Sequence, residues 1–228
     1  MIWYNIDCVV KGGRKKVVKK QVKREEIIEA AKNLIMQKGY RKTSVEDITS
    51  AVGIAKGSFY TYFKSKDFLM ETLLTEKDEL HKIKLEEVMK GAENLYESVK
   101  RYVTYYLVMP THDLEFILVM IKMMRSIDSI GEDVIKRIEL GKKNRKDEFV
   151  KILEKHIDEV DIKGKKDLEK YGLLVFGMIN TFYINSFLPA ENRFEEVQLE
   201  EIKEKIRSVD FQYETEFMTK TILKMIKK

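Results

Sequence analysis

The sequence predicts an all-α protein: an N-terminal three-helix unit followed by a larger helical domain. Three observations carry that expectation. Only 2 Pro and 11 Gly interrupt the 228 residues, while Leu, Met, Lys and Glu, all good helix formers, are abundant. Apolar residues recur at spacings of three and four, and no strand-like alternation persists. Hydrophobic residues make up 44 % and charged residues 36 %, enough apolar material for a packed core beneath a solvated surface.

Taken in order, residues 1–20 read as a mobile basic arm. Lys11 to Arg24 holds eight basic residues and no acid, with Gly12-Gly13 near its start. The arm is expected either to follow DNA phosphates or a minor groove, or to be a solvated tail. From Glu25 a helical pattern begins, with Ile27, Ile28, Ala31, Leu34 and Ile35 on one face. Glu25 and Glu26 suit the positive end of a helix, and Gly39 stops it. Ser44 with Asp47 three residues on forms a capping-box pattern and opens a short helix that Gly53 ends. A second short helix is expected over residues 56–63, and Ser65 caps a third running from Lys66 towards Glu87. Long amphipathic helices follow at about 92–109, 113–128, 131–159, 166–188 and 197–226, the last broken. Pro110, Gly131, Gly164 and Pro189 punctuate them, and Asp113 is placed to cap the second. The expected division is an arm (1–20), a DNA-binding unit (21–66) and a helical effector and dimer domain (67–228).

Charge is unevenly placed. The net charge is +5, yet residues 1–66 hold 15 basic and 6 acidic residues, against 28 and 32 in the remainder. The positive excess therefore lies wholly in the first third and points to a polyanionic partner for that part. Cys8 is the lone cysteine, so no intrachain disulfide forms, which fits a reducing cytoplasm. Met1 to Val10 lacks a basic leader and is too short to span a bilayer. The apolar stretch Tyr171 to Leu188 is interrupted by Asn180, Thr181 and Asn185 and reads as a buried helix, not a membrane span. His81, His112 and His156 show no metal-ligand spacing, Gly12-Gly13 lacks the rest of a phosphate loop, and no nucleophile elbow occurs. Catalysis, a metal and a cofactor are not expected. A protein-binding helical adaptor is the alternative from another class.

Residues 44–63 form the most informative unit. Val45, Ile48, Val52, Ile54, Phe59 and Phe63 can face inward, while Ala51 and Ala55 allow close approach of two short helices. Lys56, Gly57, Ser58, Tyr60, Thr61 and Tyr62 are then left outside. They are hydrogen-bonding or very small, as contact with a DNA groove requires.

Two runs make a more specific pattern. The first is Gly39-Tyr40-x-x-Thr43-Ser44-Val45-x-Asp47-Ile48. The second is Ala51-x-Gly53-Ile54-x-Lys56-Gly57-Ser58-Phe59-Tyr60-x-Tyr62-Phe63-x-Ser65-Lys66. Over about residues 25–70 this resembles the signature of the tetracycline-repressor (TetR) family. The resemblance implies a DNA-reading second helix. There Lys56 reaches guanine O6 and N7, Gly57 allows close approach, and Ser58 and Thr61 meet base edges or phosphate. Tyr60 and Tyr62 would present hydroxyls to phosphates, Tyr62 standing where many members have His. Thr43 and Ser44, at the start of the preceding helix, and Lys66 would bind further phosphates. Ser44 also reads simply as a cap.

The same resemblance implies a homodimer on a pseudo-palindromic operator, a small-molecule effector, and repression, which requires only promoter occupancy. The dimer face is expected on the helix at 166–188 and the last helix, with Leu173, Ile179, Phe182, Phe187, Phe217 and Leu223. The effector site is expected to be largely apolar, lined by Tyr102, Tyr105, Tyr106, Met109, Met120, Met124, Phe176, Asn180 and Tyr183. An aromatic and Met stripe of this spacing equally reads as plain core.

Overall fold

A computed structural model describes residues 13–187 and 197–227, with side chains from Lys20 onward. Cys8, Pro189 and the first twelve residues of the expected arm lie outside the described residues.

The described chain is helical throughout. Helix α1 spans Gly13–Lys38, α2 Val45–Val52, α3 Lys56–Phe59, α4 Lys66–Met89 and α5 Leu95–Val108. Then come α6 Leu114–Met124, α7 Glu132–Lys155, α8 Lys165–Phe187, α9 Leu199–Arg207 and α10 Phe211–Ile226. The sequence expectation holds for most boundaries because the caps are explicit. Ser44 accepts from the Asp47 amide while Asp47 accepts from the Ser44 amide, a complete capping box. Ser65, Asn94, Asp113 and Asp210 cap α4, α5, α6 and α10 through their side chains. Gly53 ends α2 in the left-handed region at φ 68°, a conformation that costs a residue with a Cβ about 1–2 kcal/mol.

Two elements differ from expectation. Helix α1 starts at Gly13, not Glu25. A run of cations lacks apolar periodicity, but Lys, Arg and Gln are good helix formers, and a helix already anchored at Ile27 propagates backwards. Helix α3 is only four residues long. Its continuation tightens into i→i+3 bonds, Thr61 N–H to Ser58 O at 3.2 Å and Tyr62 N–H to Phe59 O at 2.9 Å.

Two apolar cores organise the chain. One gathers Ile27, Ala31, Ile35 and Tyr40 with Ile48, Phe59 and Phe63, then Leu69, Met70, Leu73 and Leu74 of α4. It continues without a break into Val119 and Met123 of α6 and Ile130, Val134 and Ile138 around α7. The other packs α5, α7, α8 and α10 around Tyr102, Tyr106, Phe149, Ile179 and Ile222. Helix α4 belongs to both, since Leu85 lies in the second. Among the described residues no helix is long and apolar enough to cross a membrane.

Candidate nucleic-acid interface and ligand cleft

The three N-terminal helices are held by a compact set of contacts. Phe59 and Phe63 are fully buried with ring centroids 5.7 Å apart, which fixes α3 and the following turn on the core. Val45, Val52 and Ile54 pack against the same core from its margin. Their burial turns the rest of the segment outward. Ser44, Lys56, Gly57, Tyr60 and Thr61 are exposed, and Ser58 and Tyr62 are half-buried. Lys56 is ion-paired with Glu46 across the α2–α3 junction. That hydrogen bond raises the ammonium's pKa and lowers the carboxylate's. Asp47 is held well below the usual carboxylate range, chiefly by a hydrogen bond from Lys38 and then by Ser44. Gly57 has no positive φ, and a Cβ built on it would meet nothing within 4 Å.

Two expected members do not stand on this surface. Thr43 is 1 % exposed, and its hydroxyl donates to the Gly39 carbonyl at 2.9 Å. Lys66 is turned inward: its ammonium donates to the carbonyls of Tyr40 at 2.7 Å and Thr43 at 2.8 Å. It also lies 3.9 Å from the centroid of the Tyr40 ring, and burial pushes its pKa down. Thr43 therefore braces the α1–α2 turn internally, and Lys66 clamps that turn onto α4, because a buried carbonyl there needs a donor. Sequence reasoning passed over Arg41, Lys42 and Lys64, exposed cations directly flanking the two helices. Their signal was simply their position next to the motif.

A cleft of about 590 Å³ opens between α4 and α7. None of the nine expected lining residues borders it. Tyr102 and Tyr106 are buried core, Met120 packs on the N-terminal core, and Met124 is exposed. Met109, Phe176 and Asn180 are half-buried elsewhere. Tyr183 donates to the Tyr106 carbonyl. The tyrosines instead support the cleft from beneath. Tyr105 and Tyr106 contact His81 at 3.0 Å and 2.9 Å, and Tyr106 donates to Glu148. Tyr102 donates to the Arg145 carbonyl at 3.0 Å. Burial pushes the Tyr105 phenol up to about 12, and burial likewise raises Tyr102 and Tyr106, so all three remain protonated donors at neutral pH.

The cleft wall is charged. Asp78 pairs with Arg137 at 2.8 Å and faces Arg145 at 3.5 Å. Gly141 keeps that wall open, since a Cβ there would stand 3.2 Å from the Asp78 carboxylate and 3.1 Å from Arg145. Leu85, Met89 and Ile152 give an apolar end. The signal for this site was a charged stripe at helical spacing, Asp78–His81–Leu85 against Arg137–Gly141–Arg145–Glu148–Ile152, on faces turned towards each other.

The expected dimer residues divide. Leu173 is 60 % exposed and Phe217 54 %. Ile179, Phe182, Phe187 and Leu223 are buried within the subunit and belong to its own core, which corrects their assignment to an intersubunit face. The apolar run on α8 is continuous enough to serve two faces, and periodicity alone did not separate them. The outward row is Leu173, Leu174 and Ile184, with stacked Tyr213 and Phe217 on α10.

A short helix pair with a buried aromatic anchor and an outward polar face, carried on a helical body, defines the class of helix-turn-helix regulators. The comparisons carry this further. Residues 27–73, the helix-turn-helix unit and the start of α4, match the family described as "Bacterial regulatory proteins, tetR family". It is 31 % identical over 113 residues to the HTH-type transcriptional regulator YwcC of Bacillus subtilis, spanning 42 % of this chain and 48 % of that protein. The chain thus spans less than half the length of that relative. In fold it is similar to the fatty acid degradation regulator FadR of Bacillus halodurans (TM-score 0.64, 20 % identity, 88 % of this chain and 94 % of that one). It is also similar to FadR of Bacillus subtilis in complex with stearoyl-CoA (TM-score 0.64, 20 % identity, 87 % and 96 %).

Proposed function

We propose that this regulator is a repressor that binds a pseudo-palindromic operator as a homodimer and releases it when a small molecule enters the cleft between α4 and α7. Ser44, Lys56, Gly57, Ser58, Tyr60, Thr61 and Tyr62 form the DNA-facing surface. Lys56 exchanges Glu46 for a base edge, Tyr60, Tyr62 and Ser44 engage phosphates, and Ser58 and Thr61 lie along the groove. The observation that carries the reading is Gly57. A glycine inside a helix costs about 1 kcal/mol relative to Ala, yet neither its backbone nor any neighbour requires one. A duplex pressed against the helix supplies the missing reason.

Dimerisation follows from the outward rows on α8 and α10, which leave large apolar groups in water. The effector reading rests on cleft size, which falls in the range of small-molecule sites. FadR of B. subtilis, solved with stearoyl-CoA, shows that a protein of this fold holds an amphipathic ligand. The charged wall and apolar end of the cleft here favour a ligand with both characters in place of the largely apolar one expected from sequence.

The test is Gly57→Leu, measured on the DNA that the purified protein selects from fragmented genomic DNA. Thermal stability is expected to be unchanged or higher, while affinity falls at least tenfold. An undiminished affinity, or no enriched motif in the selection, would overturn the reading.

A further inference from the structure

The operator reading uses only the helix-turn-helix, and it leaves the first half of α1 without a role. Residues 13–24 contain Arg14, Lys15, Lys16, Lys19, Lys20, Lys23 and Arg24, seven cations and no acid. The helix is continuous through this segment into the core. Among the described side chains of α1 the first buried one is Ile27, and from Lys20 to Glu26 every side chain is exposed or half-buried. At about 1.5 Å per residue, residues 13–24 make a helix about 18 Å long.

The charges are ordered. At about 100° per residue, positions 15, 16, 19, 20, 23 and 24 fall within one half of the helix circumference. Val17, Val18, Gln21 and Val22 occupy the other half together with the seventh cation, Arg14. Positions 15, 19 and 23, and positions 16, 20 and 24, thus carry like charges at i, i+4 register, an arrangement that weakens an isolated helix. Among the described side chains of this segment, Lys23 pairs with Glu26 and Arg24 with Glu76. The segment also leaves the body at a particular place. The Lys20 ammonium stands 6.0 Å from the centroid of the Tyr62 ring, and the Arg24 guanidinium 5.5 Å from that of Phe63. The stripe thus begins beside the end of the proposed DNA-facing segment.

We infer that residues 13–24 form a rigid cationic helix that binds the phosphate backbone of duplex DNA flanking each half-site. The inference rests on the operator reading above and extends it. Charge complementarity and continuity with Tyr62 select the partner, and 18 Å of helix matches about five base pairs of backbone at roughly 3.4 Å per step. The stacked repulsion that weakens the free helix is relieved when counterions on the DNA are released. The other half of the helix offers three valines, interrupted by Arg14 and Gln21, and no large apolar group, which makes an anionic membrane surface the poorer match.

The experiment uses the full chain and the quadruple variant Lys15→Gln, Lys16→Gln, Lys19→Gln, Lys20→Gln, chosen because Gln preserves helix propensity. Affinity is measured against salt concentration on two duplexes, one ending at the selected half-sites and one carrying about six further base pairs on each side. The wild-type chain is expected to bind the longer duplex more tightly, with a steeper salt dependence. On that duplex, losing four contacts per protomer lowers the slope of log K against log salt by about 3 to 4 per protomer. The same loss weakens binding at least tenfold at 50 mM salt, and the two proteins converge on the short duplex. Equal slopes and affinities for both proteins on the longer duplex would sink this inference while leaving the operator reading intact. A wild-type chain that selects no DNA would sink both. Because the wild-type chain alone is compared on two duplexes, the result does not depend on how the variant folds. Wild-type binding to anionic phospholipid vesicles that the variant loses, without a difference on DNA, would assign the helix to a membrane surface and overturn the inference.

Discussion

Lys66→Met separates a phosphate contact from an internal clamp. The wild-type ammonium donates to two backbone carbonyls at 2.7 and 2.8 Å and sits 3.9 Å from the centre of the Tyr40 ring. Methionine conserves the stem but no donor. A hydrogen bond involving a charged group contributes about 1.5–3 kcal/mol. Two facts reduce the sum here. The Tyr40 carbonyl keeps the Thr43 amide at 3.2 Å, and burial already disfavours the charged lysine. A net loss of about 2–3 kcal/mol remains, with most of it the cost of an under-satisfied Thr43 carbonyl. For a chain of this size that lowers Tm by about 4–12 °C. Urea unfolding at neutral pH gives the free energy, and a salt titration of operator binding by the folded fraction gives the DNA term. The salt slope is expected to be unchanged. If stability is untouched while the slope falls by about 1, Lys66 leaves the clamp to hold a phosphate and the reasoning fails.

Three further outcomes are expected. Gly53→Ala, at φ 68°, loses about 1–2 kcal/mol by urea denaturation, whereas Gly53→Asn loses less because Asn tolerates the left-handed region. Asp47 has its pKa depressed by Lys38 and Ser44, so its contribution is complete above the unfolded value of about 4 and is lost as pH falls below it. The stability gap between wild type and Asp47→Asn should therefore narrow between pH 6 and pH 3, and a widening gap would contradict the sign. Leu173→Glu with Phe217→Glu places charge on both exposed rows of α8 and α10; sedimentation is expected to shift from dimer to monomer without loss of helicity, and an unaltered dimer would move the interface elsewhere.

The parts that sequence made legible are those where local chemistry decides structure. The capping box at Ser44 and the glycines at 39 and 53 act within a few residues of themselves, so their outcome follows from the residues nearby. The inward set Ile48, Phe59 and Phe63 was readable because short helices have one apolar face each. Thr43 and Lys66 misled in different ways. Thr43 turns back onto the Gly39 carbonyl of its own turn, and the Lys66 partners, the carbonyls of Tyr40 and Thr43, come into reach only when α4 returns across that turn. The cleft was hidden in the same way. Asp78 and Arg137 are far apart in sequence, and their pairing depends on how α4 and α7 lie against each other. The tyrosines of α5 were noticed as candidates for ligand contact because of residue type, but their hydroxyls are consumed by His81, Glu148 and the Arg145 carbonyl. On α8, Ile179 and Leu173 are both apolar; only packing tells the buried one from the exposed one.

The two cores also bear on how occupancy of the cleft would reach DNA. Helix α4 carries Thr75, Asp78, His81 and Leu85 along the cleft and Leu69, Met70, Leu73 and Leu74 in the core that holds Phe59 and Phe63. That core continues into α6 and α7 through Val119, Met123, Val134 and Ile138. A soft joint between reading head and body would dissipate a shift of α4, but this close-packed connection would transmit it. The coupling is reinforced at the N-terminal end of α4. Tyr40 donates to Asp67, and Gly131, just before α7, lies so near that a Cβ there would overlap the Asp67 carboxylate. Asp67 is thus wedged between the α1–α2 turn and the start of α7, while Asp78 ties α4 to α7 through Arg137 and Arg145, about two turns apart. A ligand that drew both guanidinia away from Asp78 would loosen α4 from α7 at the cleft, where Thr75–Arg137 and His81–Glu148 also join them, but not at Asp67. The helix would then pivot about that end, and in the proposed dimer the changed angle between α4 and α3 would alter the spacing of the two reading helices.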